Sequence, residues 1–172
     1  DDYDNGIARR ISVVEFTTKF CDNPKKKYEK QLVKYTNDEK KLLQDVQKLL
    51  YRSGELGFFL CGHNVKGFDI PTLAKRMMMY GLEPPKLLPS YDTKPWEIKA
   101  IDTKDIWQYG GYGQFASLEL MCVCMGVESS KNTEVTGNRV HEAYWIDKNI
   151  EGIVKYCEKD VVATIELVKK IT

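Results

Sequence analysis

Two short stretches of the chain carry acidic side chains where they could do chemistry. The first is HNVKGFDIP, residues 63–71, in which Asp69 stands where an apolar run gives way to a predicted helix. The second is YCEKD, residues 156–160, in which Tyr156 and Asp160 are four residues apart. On a helix, that spacing places both side chains on one face.

If Asp69 and Asp160 converge at one edge of a sheet, their carboxylates form a site for a hard cation. Two close carboxylates repel, and the pKa of one rises unless a cation lies between them. Mg²⁺ or Mn²⁺ prefers such oxygen ligands and keeps open positions for water and phosphate. Two such ions can hold an attacking hydroxide and a leaving oxygen in line at a phosphodiester.

In that arrangement Tyr156 would orient the attacking water through its hydroxyl group. Simpler interpretations remain open for all three residues. Asp69 is also suited to capping the helix that follows it, Asp160 to being a solvated charge, and Tyr156 to packing.

The elements that must position these residues follow from apolar periodicity. Strands are predicted at ARRISVVEF (8–16), KQLVKYT (30–36), GFFLC (57–61) and the start of IKAIDTKDIW (98–107). Helices are predicted from the capping box of Thr36 and Glu39, from Pro71, over SLELMCVCMG (117–126) and from Asn149 to Ile171. The apolar positions assigned to buried helix faces are Leu42, Leu43, Val46, Leu49 and Leu50, then Leu73, Ala74, Met77 and Met78.

Strands that alternate with helices indicate an α/β sheet covered by helices. In such folds, ligand sites form at the carboxyl ends of strands. The length of 172 residues, the net charge of +1 and a hydrophobic content of 42% are ordinary for one globular domain, so we expect a single domain over residues 1–172.

Composition also bears on the cellular compartment of the protein and on whether it carries a structural metal. No run of roughly 18 apolar residues predicts a membrane span, and the acidic, polar start DDYDNGIARR is not typical of a signal peptide. Five cysteines, an odd number, favour a reducing compartment, and we expect a cytoplasmic location. A C-x-C pair at Cys122 and Cys124 with only two histidines argues against a structural zinc site.

The two acidic stretches, taken in order, resemble the second and third motifs of the DEDDy 3′–5′ exonucleases. These enzymes belong to the DnaQ-like branch of the RNase H-like fold. The resemblance is strongest to predicted 3′–5′ exonucleases related to the proofreading domains of family B DNA polymerases. KPWEIKAIDTKDIW, SLELMCVCMGV and GNRVHEAYW, in that order, also look similar, and the resemblance covers the chain from about Gly6 onward.

The resemblance implies an RNase H-like mixed sheet flanked by helices and a role for each motif residue. Asp69 and Asp160 would bind Mg²⁺ or Mn²⁺ in a two-metal site, and Tyr156 would position water, which makes these three the catalytic residues. Asn64 and Phe68 would face the 3′-terminal nucleotide, and His63 is a further substrate-binding candidate or caps its loop. Asp102, at the end of the strand in AIDT, is interpreted first as a structural cap and second as a ligand.

One departure from the family pattern concerns its first motif, a D-x-E on the first strand. No D-x-E lies within a β-like apolar run of this chain, and VVEF has Val13 where the aspartate should be. The segment ISVVEF resembles the second strand of the family instead. The first motif and its strand are therefore expected upstream of Asp1, with a fold that lacks its first strand here.

Three functions follow from these observations. The first is a metal-dependent 3′–5′ exonuclease acting on 3′ ends of single-stranded DNA, with RNA left open as a substrate and a polymerase or a replication or repair protein as a further partner. The second is a catalytically incomplete domain of the same fold that binds nucleic acid or a polymerase. The third is a structural α/β domain in which Asp69 and Asp160 do not meet. The oligomeric state is not indicated by any motif.

Overall fold

The computed structural model describes residues 38–90, 92–111, 113, 115–129 and 133–171. They divide into two compact units. Residues 38–61 and 65–101 form what we term the amino-terminal unit. Residues 62–64 and those from 102 onward form the carboxy-terminal unit. The first two predicted strands, 8–16 and 30–36, lie outside the described residues.

The amino-terminal unit contains two α-helices and two short single turns. Helix α1 spans Glu39–Glu55, and helix α2 spans Ile70–Met79. A π-helical turn, Val65–Asp69, leads directly into α2, and a 3₁₀ turn covers Pro95–Glu97. Asp38 begins α1 by accepting a 3.1 Å hydrogen bond from the backbone N–H of Lys41, as a helix N-cap does.

The helices of this unit bury one face each, because a surface helix turns only about one apolar stripe toward a core. The buried side chains are Leu43, Val46 and Leu50 of α1 and Ile70, Leu73 and Met77 of α2. The predicted buried positions Leu49 and Met78 are wrong, since they are 44% and 66% exposed. Both lie just beyond the edge of the buried stripe.

The third predicted strand, GFFLC, is correct in kind and wrong in extent. Strand β1 covers Leu60–Gly62, and Phe59 is 49% exposed. The backbone N–H of Phe58 donates to the carbonyl of Ser53, so Phe58 is bonded back to the last turn of α1. Residues 57–59 turn the chain before pairing can start.

Strand β1 pairs with strand β2, Ala100–Asp102, in a two-stranded sheet. Pairing begins where the backbone N–H of Leu60 donates to the carbonyl of Lys99 over 3.0 Å. Each strand ends in the carboxy-terminal unit, at Gly62 and Asp102. The described residues contain two strands and six α-helices, so the chain is mixed α/β as predicted, although four of these helices follow the second strand in succession. The wider RNase H-like sheet and the single domain remain predictions.

The carboxy-terminal unit is helical beyond the strand ends. Helices α3, Thr103–Gln108, and α4, Leu118–Met125, are followed by α5, Val140–Trp145, and by the long α6, Ile150–Ile171. Helix α6 starts where Asn149 Oδ1 accepts a 2.8 Å hydrogen bond from the N–H of Gly152. A Cβ on Gly152 would lie 2.8 Å from Val135 Cγ2, so the helix approaches its neighbour too closely for a side chain.

Two apolar clusters hold α6 in this unit. One joins α4 to the later turns of α6 through Met121, Cys122, Ala163 and Leu167. The other joins α5 to its first turns through Val135, Val140, Ala143 and Ile153. Helix α4 is mainly apolar but only partly buried, because Leu120 and Val123 are 49% and 69% exposed. Among the described residues, no helix is long and apolar enough to cross a membrane.

Candidate nucleotide-binding and catalytic site

The candidate site of the carboxy-terminal unit begins with Asn64, two residues after β1. Its φ of 59° lies in the left-handed region, which asparagine adopts more readily than most residues. Its backbone N–H donates a 2.7 Å hydrogen bond to Oδ1 of Asp102. The same oxygen accepts a 3.0 Å hydrogen bond from the N–H of Lys104. One carboxylate thus fixes the turn after β1 and caps helix α3.

The Asp102 carboxylate accepts both hydrogen bonds in a buried position, since the residue is only 2% exposed. A buried carboxylate is tolerated when its oxygens accept hydrogen bonds. The expectation that Asp102 is a structural cap is therefore confirmed. Its additional link to Asn64 makes it a support for the predicted substrate-binding segment.

His63 is anchored to the same strand end through its ring. Its Nδ1 lies 3.0 Å from the hydroxyl Oγ1 of the buried Thr103. That hydroxyl also donates to the carbonyl oxygen of Gly62 over 3.4 Å. The ring is thereby held beside β1, which agrees with the interpretation that His63 caps its loop and leaves a substrate contact as a prediction.

Burial lowers the pKa of His63 below its ordinary value, because desolvation disfavours the charged imidazolium. The carboxylate of Asp102, a backbone hydrogen bond with Ala116 and the carboxylate of Asp160 act in the opposite direction, and Lys104 acts with burial. His63 is therefore predominantly neutral at neutral pH.

The side chain of Asn64 contacts a lysine and, through it, an aromatic ring. Lys104 Nζ donates a 2.9 Å hydrogen bond to Oδ1 of Asn64. The same ammonium lies 4.5 Å from the ring centroid of Phe115, within the range of a cation–π interaction. Sequence reasoning missed Lys104 and Phe115. The only available signal was the lysine two positions after the capping aspartate in AIDTK.

Asp160 lies half-buried on α6, in the same unit as His63. Its carboxylate influences the pKa of His63 and also that of Cys122, whose pKa is raised first by burial and then by Asp160 and Glu119. The negative charge of Asp160 therefore acts electrostatically on His63 in the loop after β1 and on Cys122 in α4.

Tyr156 lies one turn before Asp160 on α6 and is half-buried. Its ring packs against the Val135 cluster. Its hydroxyl lies so near Gly137 that a Cβ there would be 3.0 Å from it. The packing interpretation of the ring is therefore correct, and the water-positioning role of the hydroxyl stays a prediction.

Phe68 and Asp69 belong to the amino-terminal unit. Both are half-buried and close the π-helical turn that precedes α2. Asp69 has helical dihedral angles, φ −67° and ψ −47°, and its side chain makes no capping hydrogen bond to α2. The cap interpretation of Asp69 is therefore wrong. Its convergence with Asp160 stays a prediction, as do the metal roles of both acids and the substrate role of Phe68.

The donor set can be compared with what a metal site needs. Within the residues that the structure describes, no group of three or more His, Cys, Asp or Glu side chains is placed to hold a metal ion. Asp69 and Asp160 are ligands of the type that Mg²⁺ and Mn²⁺ prefer. These two acids do not complete a two-metal site, so any such site needs further ligands.

The chain was compared with known families, curated proteins and solved structures. No curated protein and no solved structure matches the chain significantly. A family described as predicted 3′–5′ exonucleases related to the exonuclease domain of PolB matches residues 7–170. That match covers both acidic motifs and the supporting segments between them, and the chain belongs to this family of predicted 3′–5′ exonucleases.

Proposed function

We propose that the protein is a metal-dependent 3′–5′ exonuclease that hydrolyses phosphodiester bonds at the 3′ end of single-stranded DNA. The observation that carries the proposal is family membership over residues 7–170. The grouping of His63, Asn64 and Asp160 in one unit supports it. The odd number of cysteines supports a reducing, cytoplasmic location as part of the same proposal.

In this proposal each motif residue has a separate task. Asp69 and Asp160 are the carboxylates that hold Mg²⁺ or Mn²⁺, and the metal supplies stabilisation of charge on the phosphodiester. Tyr156 orients the water that attacks it. Asn64 and Phe68 bind the terminal nucleotide, and His63 supports the loop that carries Asn64.

A second function has a specific observation in its favour. The D-x-E motif is missing from the apolar runs of the chain, and the described residues offer no three-ligand metal group. A catalytically incomplete domain that binds nucleic acid or a polymerase partner would show this combination.

The deciding experiment follows single-stranded oligonucleotides labelled at the 3′ or the 5′ end, with Mg²⁺, Mn²⁺ or EDTA. The exonuclease proposal expects metal-dependent release of the 3′ label as mononucleotide, with the 5′ label in a ladder of shortening strands. Asp160→Asn should abolish this release. Glu166→Gln, an exposed ion-paired position on the same helix, should retain it.

Each other outcome has a defined meaning. Binding of the strand without release in any metal would favour the incomplete domain. Release that starts from the 5′ label would contradict the proposed polarity. A ribonucleotide strand of the same sequence, run in parallel, tests the preference for DNA over RNA.

A further inference from the structure

The direction in which the Asn64 carboxamide points is set by a neighbouring charge. A lysine ammonium carries three donors and no acceptor. The side-chain atom 2.9 Å from Lys104 Nζ must therefore be the acceptor Oδ1 of Asn64, as found. The other end of the amide, the Nδ2 amino group, is then left to donate elsewhere. An amide that rotates freely would offer either end.

The backbone below this amide is fixed independently. The left-handed φ of Asn64 and its 2.7 Å hydrogen bond to Asp102 set where the side chain leaves the chain. Lys104 is held by the same carboxylate, because its own N–H donates to Oδ1 of Asp102. Asn64 and Lys104 are thus positioned against each other by one buried acid.

The position of Lys104 has no explanation in the stability of its helix. It occupies the first turn of α3, where the partial positive charge of the helix end disfavours a cation. Its ammonium is instead engaged by Asn64 Oδ1 and by the ring of Phe115, which is itself 74% exposed. The ring helps to hold the ammonium over the amide.

On this basis we propose that Lys104 is a positioning residue that fixes Asn64 as a hydrogen-bond donor, so that Nδ2 of Asn64 binds an acceptor atom of the terminal nucleotide. The inference rests on the proposed function and deepens it, because it states which half of the amide reads the ligand. It also states that Lys104 acts through Asn64 and not as a phosphate ligand.

The test measures the dissociation constant of a fluorescent single-stranded DNA oligonucleotide with a free 3′ end. Fluorescence anisotropy is recorded in EDTA, so that the strand stays intact, at several NaCl concentrations. Asn64→Ala and Lys104→Met should each weaken binding about 5-fold, the effect of losing one net hydrogen bond. The double variant should be no weaker than Asn64→Ala alone, because Lys104 acts through the amide.

Salt dependence separates positioning from phosphate binding. A lysine that neutralises one phosphate contributes about 0.7 to the slope of log K against log salt for a single strand. Lys104→Met should leave that slope unchanged. A slope reduced by about 0.7, together with effects that add in the double variant, would overturn the inference.

Two further variants each retain a donor at position 104 and an acceptor at position 64, and each changes one other property. Lys104→Arg retains a group that only donates and should bind nearly as the parent does. Asn64→Asp retains an acceptor for Lys104 and removes the amino donor. Its binding should be at least 5-fold weaker, also at 0.5 M NaCl where repulsion between charges is screened. Parent-like binding by Asn64→Asp would refute the donor role.

Lys148→Met is the matched control, because Lys148 Nζ lies 5.4 Å from the ring of Trp145, a similar contact in the same unit. The dissociation constant of Lys148→Met for the oligonucleotide should equal that of the parent. If the parent protein binds no 3′-ended strand, the proposed function fails and this inference fails with it. If the parent binds and the single effects add, only the inference fails.

Discussion

The backbone N–H of Asn64 donates its hydrogen bond to Oδ1 of Asp102, which lies 38 residues further along the chain. The carboxylate that receives it also accepts from the N–H of Lys104 and is buried. Asp102 therefore links the turn after the first strand to the helix after the second. A substitution at Asp102 should affect both elements together.

We predict that Asp102→Ala lowers the free energy of unfolding by about 2–4 kcal/mol. Loss of a helix N-cap costs about 1 kcal/mol, and a buried backbone N–H left without an acceptor costs about 1–3 kcal/mol more. Urea unfolding followed by circular dichroism measures the change. A loss below 1 kcal/mol would show that the link to Asn64 contributes little.

Ser117→Ala is the control for this prediction. Ser117 caps α4 in the same unit by accepting a 3.1 Å hydrogen bond from the N–H of Leu120, and it is exposed. Its substitution removes a cap without burying an unpaired group. We expect a loss of about 1 kcal/mol, clearly smaller than at Asp102.

Most helices of the described residues were predictable because their apolar residues recur with helical period. The helix after Pro71 and the long helix after Asn149 are present where that period predicts them. Exposure within a helix was harder to predict. Met78 and Val123 are as apolar as their buried neighbours, and only the position of the partner helix decides which of them faces solvent.

Short motifs select Asn64 and Asp160 as candidate site residues, because their spacing relative to neighbouring elements is a local property, and their roles stay predictions. The contacts that support Asn64 were not predictable in this way. The contact of Asn64 with Lys104 joins residues 40 positions apart. Such a pairing depends on how two strands lie beside each other, which no local pattern encodes.

A second prediction concerns the electrostatic coupling of His63 and Asp160. Because the carboxylate of Asp160 raises the pKa of His63 against the larger effect of burial, Asp160→Asn should lower that pKa further. The measurement is the NMR titration of the His63 ring protons without divalent ions. Glu166→Gln should leave the midpoint unchanged, and an unchanged midpoint in Asp160→Asn would show that the two groups are not coupled.

The same shift has a consequence for stability. The folded-state pKa of His63 lies below its ordinary value of 6.5, so the unfolded chain binds the proton more readily. The stabilising contribution of neutral His63 to the free energy of unfolding is fully present above pH 6.5. It is lost as the pH falls from 6.5 through the lower folded-state pKa. His63→Gln should flatten the dependence of unfolding free energy on pH in that window.

A third prediction concerns the contact between α1 and α2 in the amino-terminal unit. Glu39 accepts hydrogen bonds from both Nε and Nη2 of Arg76 and, over 2.8 Å, from the hydroxyl of Tyr80. Burial raises the pKa of Glu39, but these hydrogen bonds and the Arg76 charge outweigh it and leave that pKa lowered. Glu39→Gln should cost about 1–3 kcal/mol of unfolding free energy at pH 7.

The pH dependence of this loss follows from the direction of the shift. A carboxyl with a lowered folded-state pKa stabilises the protein above its ordinary pKa, near 4.5, and loses that effect as the pH falls through the lowered value. The difference between the parent and Glu39→Gln should therefore shrink as the pH falls below 4.5. Asp45→Asn, which alters the exposed pair with Lys48, should cost less than about 0.5 kcal/mol at any pH.

The last prediction separates the hydroxyl of Tyr156 from its ring. The ring packs against the Val135 cluster, and the hydroxyl lies at Gly137. Tyr156→Phe keeps the packed ring and should change the unfolding free energy by less than about 1.5 kcal/mol. If the hydroxyl positions the attacking water, the rate of 3′-nucleotide release should fall roughly 100-fold with strand binding unchanged.

Gly137→Ala tests the same hydroxyl from its other side. The added methyl group would lie 3.0 Å from the hydroxyl oxygen, which is closer than ordinary contact, so the tyrosine must shift by a few tenths of an ångström. In an active enzyme that shift should slow nucleotide release in Gly137→Ala. In the double variant Gly137→Ala with Tyr156→Phe, the added methyl should slow release little beyond Tyr156→Phe alone, because there is no hydroxyl to displace. The rate is measured as single-turnover release from a 3′-labelled strand for the parent, the two single variants and the double variant. Full activity in Tyr156→Phe would exclude water positioning, and the role of Tyr156 would then be packing alone.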